Sequence, residues 1–323
     1  MSALMPSSDP VSAVVVETVD NAPGVSLWRG AWQRLRRNPT AIAGAAIILV
    51  FIVVSVAAPL LTSYQPGSTQ WSDQVTPTTV PGPSPGHPLG LDRYGSDLYT
   101  QLLYGARQSL VYGVVSTALG LTVGTALGVL AGGCGSLGNM LTGRAGRWLR
   151  TVDVIVMRVV DILLSIPSLL LAVSIAAILG QNSYSVMIAI GVAQVPIFAR
   201  LLRGSMLSQG KGDYVLAANA LGIRPTRIVV GHVLPNSMGP TIVQATLNLA
   251  TAIIEVAALS FLGLGQADPA VAEWGRMLVA AQDRFEAAPR LALLPGACIA
   301  ITALGFTLLG EAMREALDPK SRR

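Results

Sequence analysis

Long stretches of this chain carry no charged side chain, and their lengths organise it. Residues 41–61 form a run of twenty-one uncharged positions, enough at about 1.5 Å per residue to cross a hydrocarbon layer of roughly 30 Å as one helix. Residues 108–143 are also free of charge, with 111–131 the best spanning window, and 162–199 contain thirty-eight uncharged residues. That third run is too long for one crossing, and Gly180-Gln181-Asn182-Ser183 divides it into two. A fifth run, 240–261, is interrupted only by Glu255, and a sixth covers 291–310. The pattern predicts an all-α, polytopic membrane protein with six transmembrane helices and both termini on one side.

Composition supports the same class. Apolar residues make up 52% of the chain and charged ones 12%, against about 25% charged in soluble domains, and the mean hydropathy is +0.57. The net charge of +5 is spread between apolar runs and forms no basic stripe beside aromatics, which argues against nucleic acid. Its distribution sets orientation instead. Arg29, Arg34, Arg36, Arg37, Arg144, Arg147, Arg150, Arg158, Arg200, Arg203, Lys211, Arg224, Arg227, Arg314, Lys320, Arg322 and Arg323 fall on one side. The other side has Arg93, Arg107, Arg276, Arg284 and Arg290, so the first side, with both termini, is expected in the cytoplasm. The first run is too long for a signal-peptide core and lacks a clear cleavage site, so it reads as an uncleaved anchor. Residues 1–26 read as a mobile tail, 27–40 as a cytoplasmic pre-span segment, 62–108 as an extracytoplasmic loop, 109–311 as a core of five spans and 312–323 as a cytoplasmic C-terminus. Cys134 and Cys298 offer neither a disulfide framework nor a metal cluster and read as small packing residues.

Gly113, Thr117, Gly120, Gly124, Gly128 and Gly132 put small residues on one face of span two, where a second helix can approach closely. Pro167 and Pro196 are expected to kink their helices or free a carbonyl. Span five carries Thr241, Gln244, Asn248, Thr251 and Glu255 at steps of three and four, a continuous polar stripe that cannot face lipid. It reads either as hydrogen-bonding glue between helices or as the wall of a polar passage. Asp161 reads as a helix N-terminal charge or a neighbour of Arg158. The loop between spans four and five holds a short helix from Asp213 to Leu221, including Tyr214, Ala217 and Ala218 and stopped by Gly222, with Leu234-Pro235 at the entrance to the next span. This predicts a compact knob suited to docking a partner.

No catalyst is evident. The two histidines, His87 and His232, fall in loops on opposite sides, and neither an H-E-x-x-H zinc motif nor a G-x-x-x-x-G-K-[ST] phosphate loop is present. Active transport would need an ATPase on another chain.

From Trp32 onward the chain resembles the binding-protein-dependent permeases of ABC importers, specifically the second, C-type permease of the oligopeptide/dipeptide/nickel group. The residues that carry the likeness are His87-Pro88-Leu89-Gly90-Leu91-Asp92-Arg93-Tyr94-Gly95-Ser96-Asp97, Leu102-Leu103-Tyr104-Gly105-Ala106-Arg107 and Asp161 through Ser168. Glu255 through Gly265, with Leu259-Ser260-Phe261-Leu262-Gly263-Leu264-Gly265, Glu273-Trp274-Gly275-Arg276 and Leu309 through Pro319 complete it. The resemblance implies the ABC type I importer permease fold and a coupling loop at about 203–235, similar to the family's EAA loop, in which Leu216 stands where Glu is usual. It also implies a sister permease, two ATP-binding subunits holding ATP and Mg, an extracytoplasmic solute-binding protein and a peptide-like solute, all at a bacterial inner membrane. The family also contains nickel-chelate importers. A self-sufficient secondary transporter or channel is the rival from another class; it would show inverted repeats of broken helices.

Overall fold

The computed structural model describes residues 27–76, 79–268 and 270–317. The expected tail and the last basic residues, Lys320, Arg322 and Arg323, lie outside them. Among the described residues there is no strand beyond two isolated bridges in the loop before α3. The helices are α1 (Leu27–Leu35), α2 (Pro39–Leu61), α3 (Leu98–Met140), α4 (Gly143–Leu164), α5 (Ser168–Leu179), α6 (Ser183–Gln209), α7 (Asp213–Ala220), α8 (Pro225–Ile228), α9 (Leu234–Phe261), α10 (Trp274–Ala281) and α11 (Arg290–Leu317).

Among the described residues five helices are long and apolar enough to cross a membrane, and there are six if the bent pair α4 and α5 is counted as one span. α2 begins at Asn38, whose side chain caps it by accepting from the backbone N–H groups of Thr40 and Ala41, with Pro39 in its first turn. α3 extends 43 residues, about 65 Å, twice the hydrocarbon thickness. It starts at Leu98, capped by Asp97, so the preceding loop ends eleven residues earlier than expected.

α3 packs most extensively on α6. The glycine stripe is the reason. A Cβ at Gly120 would lie 2.8 Å from the Gly191 carbonyl, and one at Gly124 would lie 2.6 Å from that of Val195. Only bare backbone permits this approach, which replaces lipid contact with dense dispersion contact.

The third crossing differs from expectation. The chain does not run as one helix through 162–179; α4 and α5 meet at 89° across Ser165–Pro167. Pro167 supplies no N–H, and Ser165 closes α4 by donating its N–H back to the carbonyls of Asp161 and Ile162. α5, at 12 residues, is about 18 Å long and reaches through only part of a bilayer. Nor is 143–158 a simple loop. It forms most of α4, which runs back along α3: Gly138 meets Gly146 and Arg150, and Met157 and Val160 cluster with Ala131 and Leu127. Pro196, by contrast, is buried inside α6 without ending it.

Candidate functional site

The short helix α7 is anchored by one face and bare on the other. Val215 and Ala218 are buried in a cluster with Leu202 and Met206 of α6 and Ile228, Val229 and Val233 beyond it. Leu216, Ala217, Asn219, Ala220 and Leu221 face outward, with Leu216 64% and Leu221 80% exposed. Of the residues expected to form the knob, Asp213 opens the first turn and Tyr214 donates its hydroxyl to the Gln209 carbonyl at 3.1 Å, while Ala218 serves the packed side and Ala217 the open one. Gly222 has φ +72. Its N–H bonds to the carbonyl of Asn219 and that of Ile223 to the carbonyl of Ala218, at 3.0 and 3.1 Å, a paired closure that turns the chain sharply.

The second arm of the knob is not a separate loop. α8, a π turn over Val229–Val233 and α9 run on as one helical stretch, Pro225–Phe261. The wide turn sits directly ahead of Pro235: the N–H of Leu234 reaches the Val229 carbonyl five residues back, and Pro235 has no N–H to restore the regular ladder. Since α6 also continues to Gln209, only two short joints, 210–212 and 221–224, separate the knob's helices.

The polar stripe of α9 is divided between two surroundings. Thr241, Asn248 and Glu255 are buried, whereas Thr251 is exposed and Gln244 half-buried. Gln244 donates to Asn248 Oδ1 at 2.8 Å, and Asn248 faces Gln194 of α6 in a reciprocal amide contact, Nδ2 to Oε1 at 3.4 Å and Gln194 Nε2 to the Asn248 carbonyl at 3.5 Å. Glu255 Oε1 accepts from Ser168 of α5 at 2.9 Å, while Oε2 and the Thr241 hydroxyl are buried without a partner among the described residues. Both readings of the stripe therefore have a footing: Asn248 and Glu255 tie helices together, and Gln244 and Thr251 line an open face.

On that face, between α6 and α9 and near the knob, lies a cleft of about 690 Å³ lined by Arg200, Ser205, Gln209, Pro240 and Gln244 among others. Asp161, at the end of α4, pairs with Arg200 and not with Arg158, and no helix starts there. One turn along α6, Arg203 binds Asp153 with both Nε and Nη2, at 2.5 and 2.8 Å.

At the opposite end the loop motifs lock onto one another. Asp92 Oδ1 accepts from the N–H groups of Tyr94 and Ser96, both at 2.8 Å, and Oδ2 accepts from Gln101. Burial nevertheless pushes its carboxyl above the usual range. Asp97 meets His87 Nδ1 at 2.9 Å and caps α3 through Thr100. Trp274, fully buried, lies over Gly105, where a Cβ would be 2.8 Å from its ring, and donates Nε1–H to the Leu102 carbonyl at 3.1 Å. Glu273 caps α10 through the N–H groups of Gly275 and Arg276, and complete burial pushes its carboxyl up against those bonds. Among the described residues no cluster of three or more His, Cys, Asp or Glu is placed to hold a metal ion.

Residues 124–323 match the family described as binding-protein-dependent transport system inner membrane component, and 26–77 match the N-terminal TM domain of oligopeptide transport permease C. The chain is a member of that permease family. The dipeptide transport system permease protein DppC of Alkalihalophilus pseudofirmus is 42% identical over 94% of this chain and 93% of its own length. The di/tripeptide transport system permease protein DppC of Pseudomonas aeruginosa is 39% identical over 90% and 91%, and the glutathione transport system permease protein GsiD of Pectobacterium atrosepticum 36% over 91% of each. A chain of the MetNI methionine ABC transporter in an inward-facing form shares the fold, with a TM-score of 0.53 at 22% identity over 68% of this chain and 96% of that one.

This permease is thus a multi-pass inner-membrane subunit of an ABC importer of the C type. The rival secondary-transporter reading falls with that assignment. Three roles escaped the sequence reading: that of Arg200 on the open face, and those of Gln194 and Ser168 as the partners of Asn248 and Glu255 between helices. Arg200 was counted only as a basic loop residue, and the partners of Asn248 and Glu255 lie 54 and 87 positions away.

Proposed function

We propose that this permease forms, with a sister permease, part of the passage for di- or oligopeptides, and that α7 delivers the motion of two ATP-binding subunits to that passage. ATP and Mg would be held by those subunits, and an extracytoplasmic binding protein would supply the solute. The observation that carries this reading is the continuity of α8, the π turn and α9: a displacement of the bare face of α7 acts on the helix that bears the polar stripe. Relatives named for dipeptides, di/tripeptides and glutathione support a peptide-like solute. The test is ATP-dependent peptide uptake by the reconstituted complex.

From the basic asymmetry we infer that the α7 end, with both termini, faces the cytoplasm. In a background lacking Cys134 and Cys298, Ser72→Cys is expected to react with an impermeant thiol reagent in intact cells. Ser321→Cys, at a position outside the described residues, is expected to react only after permeabilisation. The reverse pattern would invert the topology.

The stripe yields a second expected result. Asn248→Leu leaves the buried Gln194 Oε1 without its donor, a cost of about 1–3 kcal/mol, while Gln194 Nε2 keeps the backbone carbonyl of residue 248, and it removes the acceptor of Gln244. Uptake of every accepted peptide should fall to a similar extent, with unchanged affinity at the binding protein. Glu255→Gln keeps a side chain that can accept from Ser168 but removes the charge, so cationic peptides should lose more than anionic ones. Unaltered uptake in both variants would make the buried part of the stripe packing alone, with no bearing on the passage.

A further inference from the structure

α4 and α6 are joined by two Asp–Arg pairs that differ in kind. Asp153 and Arg203 form the inner one, bidentate and mostly buried, with side chains 8% and 29% exposed. Such a pair, its fork filled, holds two helices together and resists exchange. Asp161 and Arg200 form the outer one through a single guanidinium nitrogen, with side chains 49% and 55% exposed. A pair this open contributes little to holding helices together, and the inner pair already performs that task.

Its surroundings suggest another use. Among the described residues Arg200 is the one charged side chain lining the 690 Å³ cleft, with its partner Asp161 just outside that lining; the rest is Ser205, Ser208, Gln209 and Gln244 with small or apolar residues. The cleft is of a size that accommodates a small ligand, and it lies on the open face that the stripe residues Gln244 and Thr251 share. A peptide passing here carries a carboxylate and an ammonium, and each has its complement in the pair.

We propose that Asp161 and Arg200 are an exchangeable charge pair for zwitterionic peptides at the α7 end of the passage. The peptide carboxylate takes the place of Asp161 on Arg200 while its ammonium meets Asp161. When the peptide leaves, the two side chains close on each other, so neither passage nor peptide faces an unpaired charge and the solute is not held tightly. This rests on the reading of the open face as the passage.

The experiment is uptake by the reconstituted complex at saturating loaded binding protein, comparing a lysine-rich with a glutamate-rich peptide that the binding protein accepts. The maximal rate then excludes differences in capture. Arg200→Gln leaves Asp161 alone and should shift the lysine-to-glutamate rate ratio one way; Asp161→Asn leaves Arg200 alone and should shift it the other, each by about fivefold at such exposure. The double variant, neutral at both positions, should return the ratio toward wild type. Equal loss for both peptides would make the pair a structural tie and overturn the proposal, as would unchanged rates. The importer reading is tested separately, by whether the wild-type complex takes up either peptide with ATP.

Discussion

Replacing Gly222 with valine is expected to abolish most ATP-driven uptake while the chain remains in the membrane at normal abundance. At φ +72 a β-branched side chain is strained, at roughly 2 kcal/mol. The added Cβ meets nothing within 4 Å, so the effect is conformational and not a clash. The two hydrogen bonds that close α7 onto Asn219 and Ala218 depend on that conformation, and losing it re-aims the bare face carrying Leu216, Ala217 and Leu221. A bias of about 2 kcal/mol against the docked geometry reduces its population by about thirtyfold. The spanning helices are untouched, and the cluster of Leu202, Met206, Ile228 and Val233 can persist. Uptake and ATPase activity of the assembled complex should both be measured: normal peptide uptake at wild-type abundance would show that the turn does not transmit motion.

Trp274→Ala is expected to produce the largest loss of stability. The ring is fully buried among Leu98, Leu102, Ala106, Met277 and Phe306, with Phe51 edge-on at 5.6 Å, and it occupies the space left by Gly105. Truncating a buried Trp costs about 3–5 kcal/mol, because the rigid helices around it relax only partly. In a thermal unfolding measurement on the purified complex this corresponds to a drop on the order of 10 °C. Trp274→Phe keeps most of the volume and loses chiefly the indole bond to the Leu102 carbonyl, about 1 kcal/mol, so it should fall between alanine and wild type. Indistinguishable melting of the alanine variant and wild type would mean that the end opposite α7 is held by other contacts. The aromatic also explains why two motifs far apart in the chain share one sequence likeness: Leu102-Leu103-Tyr104-Gly105 and Glu273-Trp274-Gly275 are the two halves of one joint, with Ser109 Oγ accepting from the Trp274 N–H at 3.3 Å.

Residue order alone carried the parts of this protein whose causes are local. Uncharged runs of spanning length placed α2, α3, α6, α9 and α11, because a backbone in lipid must bond to itself and needs about twenty residues to cross. Gly222 marked the end of α7, because few other residues adopt its conformation without strain. The glycine spacing on α3 announced a close helix neighbour but could not name α6. What the three-dimensional structure decided depends on approach between distant positions. Pro167 forbade a regular helix, yet the 89° bend is set by where α5 packs, with Ala172 and Ala176 buried against the α6 residues Val186, Ala189 and Ile190. The stripe of α9 was visible as a period. Whether each member binds a neighbour or faces the open side depended on Gln194 and Ser168 arriving opposite Asn248 and Glu255. Asp161 and Arg200, 39 positions apart, became a pair only because α4 turns back along α3 and reaches α6. Periodicity records which side of a helix a residue occupies, but what stands on that side is fixed by packing.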